Sequence, residues 1–170
     1  MFRLLSTLNS HSNIMKYATL LTSLLLTPAI SFADDAAKAK LMETGKAAFM
    51  ICAACHGMDG AGVAAGPKKM APALGGSKIT IGDPSVLALV LHNGIAKETQ
   101  DYLGMMAPLG AALDDEKLAG VMTYVRNSFG NTASVVTVED VKKYRAANAA
   151  TTGPVTRAKI EELEKAAEKK

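Results

Sequence analysis

Cys52-Ala53-Ala54-Cys55-His56 is the stretch on which the reading of this chain turns. The pattern is C-x-x-C-H. On one helical turn, residues three and four apart share a face. Cys52 and Cys55 therefore present both sulfurs on one side, and His56, four on from Cys52, adds an imidazole to that side. Two thiols so placed can reach both vinyl groups on one porphyrin edge while the imidazole reaches the iron. The pattern reads as the attachment sequence of a c-type haem.

The other readings of a close cysteine pair lack their remaining parts. Both cysteines of the chain lie in this motif. A disulfide between them would close almost no loop and so restrict the unfolded chain little. A zinc site needs a fourth ligand, and the sequence has neither a second cysteine pair nor a His-x₃₋₅-His. A thioredoxin-like pair expects a strand before the motif and a helix starting at the first cysteine. Here the preceding residues read as helix, which puts the motif at a helix end.

Working outward, residues 1–33 read as a secretory signal peptide. The apolar run Tyr17–Ile30 follows Lys16, and Ser31-Phe32-Ala33 offers small residues for cleavage before Asp34. Met15 is an alternative start to Met1. The run is broken by Thr27-Pro28 and is short for a membrane span, so no transmembrane segment is expected after cleavage. Export to the periplasm agrees with haem attachment outside the bacterial cytoplasm. Cleavage removes two of the 19 basic side chains and none of the 16 acidic ones, leaving a formal net charge of +1. Two haem propionates would bring that near or just below zero, and no basic tract suggests nucleic-acid binding.

Asp34–Ile51 reads as a helix, with Leu41, Gly45, Ala48 and Phe49 at helical spacing. Gly57–Gly76 is a Gly/Ala/Pro loop, long enough to wrap a cofactor. Asp83-Pro84 caps a helix with the apolar body Val86–Leu91 and Gly94 past its end. Ile95–Ala112 is irregular. Asp114 caps another helix whose stripe runs Leu118, Val121, Met122, Val125, Phe129, with Gly130-Asn131 as its stop. Beyond it, Thr137-Val-Glu-Asp140 resembles a capping box for a helix to about Ala147. Thr151–Pro154 is a break, and Thr156–Lys170 is a charged helix with Ile160 and Leu163 as a thin apolar edge. Residues 132–170 read as a helical extension docked loosely on a domain of residues 34–131.

A second axial ligand would come from the methionines or from His92. Met42, Met50 and Met122 fall in helical patterns and read as core. Met58 is too close to His56, and Met70 adjoins a segment needed on the histidine side. Met105 and Met106, in a Gly/Pro loop, are far enough along the chain to go round the ring. A thioether on iron favours the reduced state and raises the potential, as a carrier needs. His92 would give a lower-potential pair, but a lone histidine near a helix end is more often structural. In Pro72-Ala73-Leu74, a rigid turn offers the Pro72 carbonyl to the second ring nitrogen of His56, with Leu74 packing on the macrocycle.

Taken together, the chain resembles the single-haem class I cytochrome c family, and within it the small cytochromes and cytochrome domains that serve periplasmic dehydrogenases. The matching pieces run in order: Gly45…Phe49, Cys52–Gly57, Pro72-Ala-Leu74, Gly75-Gly-Ser77, Gly82-Asp-Pro84, Leu91-His92, the Met106 loop, and Tyr124–Asn131. The resemblance implies an all-α fold in which the first and last domain helices cross, with Gly45 and Phe49 near Val121 and Tyr124. It implies one haem c on Cys52 and Cys55, with His56 and, by its distance before the last helix, Met106 rather than Met105 on the iron. There are departures: Ala107 follows the ligand methionine where proline is usual, Ile79 stands where an aromatic is common, and Asn93 interrupts a His-Gly pair.

The expected activity is one-electron transfer in the periplasm between a dehydrogenase or other respiratory donor and an acceptor such as a terminal oxidase. The protein would be a free carrier, not itself an enzyme, or the haem subunit of a dehydrogenase complex. Two alternatives from other classes are a thiol–disulfide oxidoreductase using the cysteine pair, and a haem gas sensor or peroxidase with an open iron. Lys68, Lys69, Lys78 and Lys97 are candidates for a ring of charge around the exposed haem edge that attracts an acidic partner.

Overall fold

The computed structural model describes residues 29–169, with side chains from Asp34. Most of the expected signal segment thus lies outside the described residues. The chain divides into two units, Met1–Ala36 and Ala37–Lys170, and the second carries the packing below. Seven helices are described: α1 (Ala29–Ala48), α2 (Met50–His56), α3 (Lys78–Ile81), α4 (Pro84–Asn93), α5 (Asp115–Arg126), α6 (Val138–Asn148) and α7 (Arg157–Ala167). Among the described residues the only sheet is a two-residue hairpin, β1 (Ala64–Ala65) antiparallel to β2 (Lys68–Lys69), inside the first glycine-rich loop.

Helix starts follow local chemistry. Asp83 accepts from the Ser85 amide at 2.8 Å with Pro84 at the first helical position, and Asp114 accepts from the Lys117 amide at 2.8 Å. At α6, Thr137 and Asp140 cap each other, each side chain accepting from the other's backbone amide at 3.1 Å. Each such bond satisfies one of the amides that a helix start leaves without an internal partner.

Two boundaries differ from the sequence reading. The first helix does not run unbroken to Ile51. It breaks at Phe49, whose carbonyl accepts from both Cys52 N (2.8 Å) and Ala53 N (2.9 Å), and α2 then carries the whole C-x-x-C-H motif. The last domain helix ends at Arg126, short of Phe129. Side-chain amides end it: Asn127 Nδ2 donates to the Thr123 carbonyl at 3.0 Å and Asn131 Nδ2 to the Val125 carbonyl at 2.8 Å. Phe129 then adopts φ +60°, a left-handed conformation that costs a side-chain-bearing residue about 1–2 kcal/mol. Its ring turns back onto Phe49 and Tyr124, with ring centroids 5.3 and 5.8 Å away.

The core has two parts, and α4 belongs to both. Leu87, Ala88 and Leu91 face one cluster with Phe49, Leu118 and Met122, while Val86, Leu89 and Val90 face a second with Ile95 and Ile160. A helix apolar on every side must be covered on every side. Residues 132–170 supply much of that cover. Val136 and Val141 are buried in the first cluster and Val155 and Ile160 in the second, so the expectation of a loosely docked tail is corrected. The thin apolar edge of α7, Ile160 and Leu163, is the face that packs on the second cluster. Met50 is 59% exposed and is not core, since the break at Phe49 turns α2 outward.

Arg126 is 2% exposed and ties three segments together. Its guanidinium donates to the carbonyls of Thr80 (3.0 Å) and Gly82 (2.8 Å) and to the Ser134 carbonyl (3.0 Å) and hydroxyl (2.8 Å). Burial pulls its pKa down from the usual value. Lysine cannot reproduce that fan of donors.

Where α1 crosses α5 the backbones touch. A Cβ at Gly45 would overlap the Gly120 carbonyl, and one at Gly120 would fall 2.8 Å from the Gly45 nitrogen. Gly120 had not been singled out in the sequence. Gly45→Ala is expected to cost about 2–3 kcal/mol by forcing the helices apart. Arg126→Lys is expected to cost about 2–4 kcal/mol, through unpaired carbonyls and a buried charge with fewer partners. Denaturant melts of the holoprotein check both, and an unchanged midpoint in either variant would contradict the contact behind it.

Candidate functional site

Between the two loops lies an apolar cavity of about 420 Å³. Its size is in the range of built ligand pockets. Cys52, Cys55 and His56 line it from one side, Pro72 and Leu74 from the first loop, and Met105 and Met106 from the second. The structure thus brings Cys52, Cys55, His56, Pro72, Leu74 and Met106 to one cavity, and leaves His92 outside it.

α2 delivers the motif. Cys52 and Cys55 are half-buried and not paired in a disulfide, and His56 is the last residue of the helix before Gly57 turns the chain at φ +75°. His56 Nδ1 stands 3.2 Å from the Pro72 carbonyl oxygen. A carbonyl can only accept, so Nδ1 carries the proton and Nε2 keeps a lone pair. Burial lowers the His56 pKa from its usual value, outweighing the bond to Pro72. Burial pushes the Cys52 thiol up to about 11.

The two methionines differ. Met105 is 51% exposed. Met106 is half-buried and packs against both core clusters. Its backbone is fixed by an antiparallel bridge: Ile95 N donates to the Met106 carbonyl at 2.9 Å and Met106 N to the Ile95 carbonyl at 3.1 Å. His92 does not line the cavity, and its Nδ1 lies 3.1 Å from Asn93 Oδ1. Ile79 and Ser77 line the wall where an aromatic is often found in the family.

The candidate docking lysines are partly engaged. Lys68 Nζ donates to the Gln100 carbonyl and Lys69 Nζ to the Ala61 carbonyl, both at 2.6 Å. Lys78 pairs with Glu168 at 3.7 Å, and Lys97 is exposed. The Lys68 bond joins the two loops that flank the cavity, helped by the Leu103 amide, which donates to the Lys69 carbonyl at 3.1 Å, whereas the Lys69 ammonium bond stays within the first loop.

Sequence reasoning missed two residues at this site. Arg157, from α7, lines the cavity with its guanidinium 5.0 Å from the centre of the Tyr102 ring. Neither belongs to a motif, and only the fold brings them together.

A flat macrocycle needs an apolar slot, thiols at one edge and an imidazole presented by its lone pair. Those three requirements are met by the cavity wall, by Cys52 with Cys55, and by the His56 tautomer that Pro72 fixes. The residues fit the group.

Comparison with known proteins agrees. The family model "Cytochrome c" matches residues 42–129. The cytochrome c subunit of the quinone alcohol dehydrogenase of Gluconobacter oxydans (strain 621H) is 35% identical over 103 residues, 58% of this chain and 21% of that protein. Subunits of the same description from Gluconacetobacter polyoxogenes and Komagataeibacter europaeus are each 32% identical over 99 residues, 55% of this chain and 20% of theirs. The chain spans about a fifth of the length of these curated relatives. Its function is haem electron transfer and its cofactor is covalently bound haem c, for which Cys52 and Cys55 supply the C-x-x-C-H motif. With its helical fold and the matched stretch running from α1 to Phe129, the chain belongs to the cytochrome c family.

Proposed function

We propose that the protein is a periplasmic one-electron carrier that takes electrons from a dehydrogenase or other respiratory donor and passes them to an acceptor such as a terminal oxidase. In this reading Cys52 and Cys55 would hold the haem, and His56 and Met106 would ligate its iron. The observation that carries it is the convergence of both thiols, an imidazole fixed by Pro72, and a backbone-pinned Met106 on one apolar cavity.

When bound, the haem supplies a metal centre that cycles between two oxidation states. The chain does the rest. The Pro72 carbonyl holds a proton on His56 Nδ1 and so keeps Nε2 basic. Leu74, Leu91 and the neighbouring walls exclude water, which lowers the local dielectric and limits reorganisation as charge changes. The cysteine pair lies in α2 directly after α1, with no strand leading into it, which speaks against a thiol–disulfide oxidoreductase of the thioredoxin kind. The inward packing of Met106 speaks against an open-iron sensor or peroxidase.

A second reading, the haem subunit of a dehydrogenase complex, is favoured by the names of the relatives. Co-purification from native membrane and periplasm separates the two. A carrier comes away alone, and a subunit brings a dehydrogenase with it. The domain boundaries proposed are a signal peptide at 1–33, a cytochrome domain at 34–131 and an extension at 132–170. Among the described residues no helix is long and apolar enough to cross a membrane. Sequencing of the exported protein is expected to begin at Asp34.

Two outcomes test the ligand set. Denaturation in acidified organic solvent should leave the haem on the chain, whereas free extraction from correctly exported protein would undo the covalent assignment. Replacing Met106 by Ala should abolish the weak sulfur-to-iron absorption near the red end of the oxidised spectrum and lower the potential. Met105→Ala should leave both largely intact, and the opposite pattern would exchange the two roles.

A further inference from the structure

The chain beyond the matched domain returns to the rim of the cavity and grips the segment that holds Met106. Ile95 sits between two isolated β-bridges. On one edge it pairs with Met106 through the two hydrogen bonds given above. On the other it forms a parallel bridge with Val155, in which Ala96 N donates to the Val155 carbonyl at 2.8 Å and Val155 N to the Gly94 carbonyl at 3.1 Å. We propose that residues 151–160 are a latch that holds the Met106 loop closed, positioning residues that act on the axial ligand through Ile95. The proposal rests on the assignment of Met106 to the iron.

Three further contacts fasten the same segment. Asn93, buried at the end of α4, donates its amide to the carbonyls of Thr151 (2.9 Å) and Gly153 (3.1 Å). Glu98, in the methionine loop, accepts from the Arg157 backbone amide at 3.0 Å, while the Arg157 guanidinium lies over Tyr102 of the same loop. Ile160, 3% exposed, anchors the start of α7 in the second core cluster, against which Met106 also packs. On the inner side the fit is close. Gly94 has φ +74°, and a Cβ there would overlap the Met106 carbonyl and fall 2.8 Å from Pro108 N.

The physical need for a latch follows from the ligand. A neutral thioether binds iron weakly, and each opening of its loop frees the coordination position. The loop between α4 and α5 has little regular structure, so its closure is opposed by chain entropy. Fixing Ile95 from outside removes part of that freedom before the thioether binds. The same contacts also cover α4, which would be a purely structural role. Ligand entry separates the two, because it reports local opening of the loop, not global unfolding.

The test uses the full-length ferric holoprotein and imidazole as the incoming ligand. Imidazole binding is gated by departure of the methionine. Asn93→Ala is expected to bind imidazole on the order of tenfold faster, the scale of one or two lost hydrogen bonds, and Arg157→Gln also faster, through the lost cation–π contact with Tyr102. Val141→Ala, in the first core cluster, should lower global stability while leaving the imidazole rate near that of the unmodified protein. Unmodified rates in both latch variants, or an equal rise in Val141→Ala, would overturn the latch and leave the Met106 assignment standing. Survival of the sulfur-to-iron band in Met106→Ala would instead remove the assignment beneath it. Amide exchange on the unmodified protein gives an independent check. The Ala96 and Met106 amides should open together, and free exchange at Ala96 beside a protected Met106 would overturn the proposal.

Discussion

Where α1 crosses α5, the backbone of Gly45 lies against that of Gly120, with no side chain between them. That contact sets the depth at which Phe49, four residues on, enters the core. Phe49 is fully buried and meets Tyr124 at 5.4 Å between ring centroids. Phe129 closes the triangle, at the cost of its own left-handed backbone. The aromatic cluster is the floor from which α2 departs, so the positions of Cys52, Cys55 and His56 are inherited from a glycine–glycine contact one turn earlier. Larger residues at the crossing would move the motif relative to Pro72, whose carbonyl must stay within reach of His56 Nδ1.

What was legible in the sequence was whatever is decided locally. The C-x-x-C-H spacing, the caps at Asp83, Asp114 and Thr137, and the loop character of Gly57–Gly76 depend on neighbours within a few residues. Boundaries set by distant partners were not legible. The stripe ending in Phe129 has helical period, yet α5 stops at Arg126 because amides of Asn127 and Asn131 take its carbonyls, and Asn131 is held in turn by Leu74 and Gly76. Nothing local marks Gly120 as a contact point, because the backbone it touches belongs to another helix. Nothing local marks the burial of Arg126, because Thr80, Gly82 and Ser134 impose it from other segments.

Four cationic side chains are spent on backbone carbonyls. Lys68, Lys69, Arg126 and Arg145 each donate to main-chain oxygen in an irregular segment. A fold that wraps long loops around a cofactor has many carbonyls without helix or sheet partners, and long cationic side chains can satisfy them from a distance. For Lys68 and Lys69 this qualifies the picture of a free basic ring at the cavity mouth. Their charge still contributes to the surface field, but moving either ammonium toward a partner would uncap a carbonyl of a haem loop.

The departure of Asn93 from the family's usual pattern has a counterpart in the chain that follows the domain. A glycine at that position would leave the carbonyls of Thr151 and Gly153 without the amide they now share. The extension in turn covers an α4 face that is apolar from Val86 to Val90 and would otherwise meet solvent. One substitution near the end of α4 and one added segment thus make sense together and not apart. Because α4 leads directly into Ile95, whatever steadies the extension also steadies the segment beside Met106. The segment that lies outside the matched domain is therefore mechanically continuous with the residue proposed to complete the coordination of the iron.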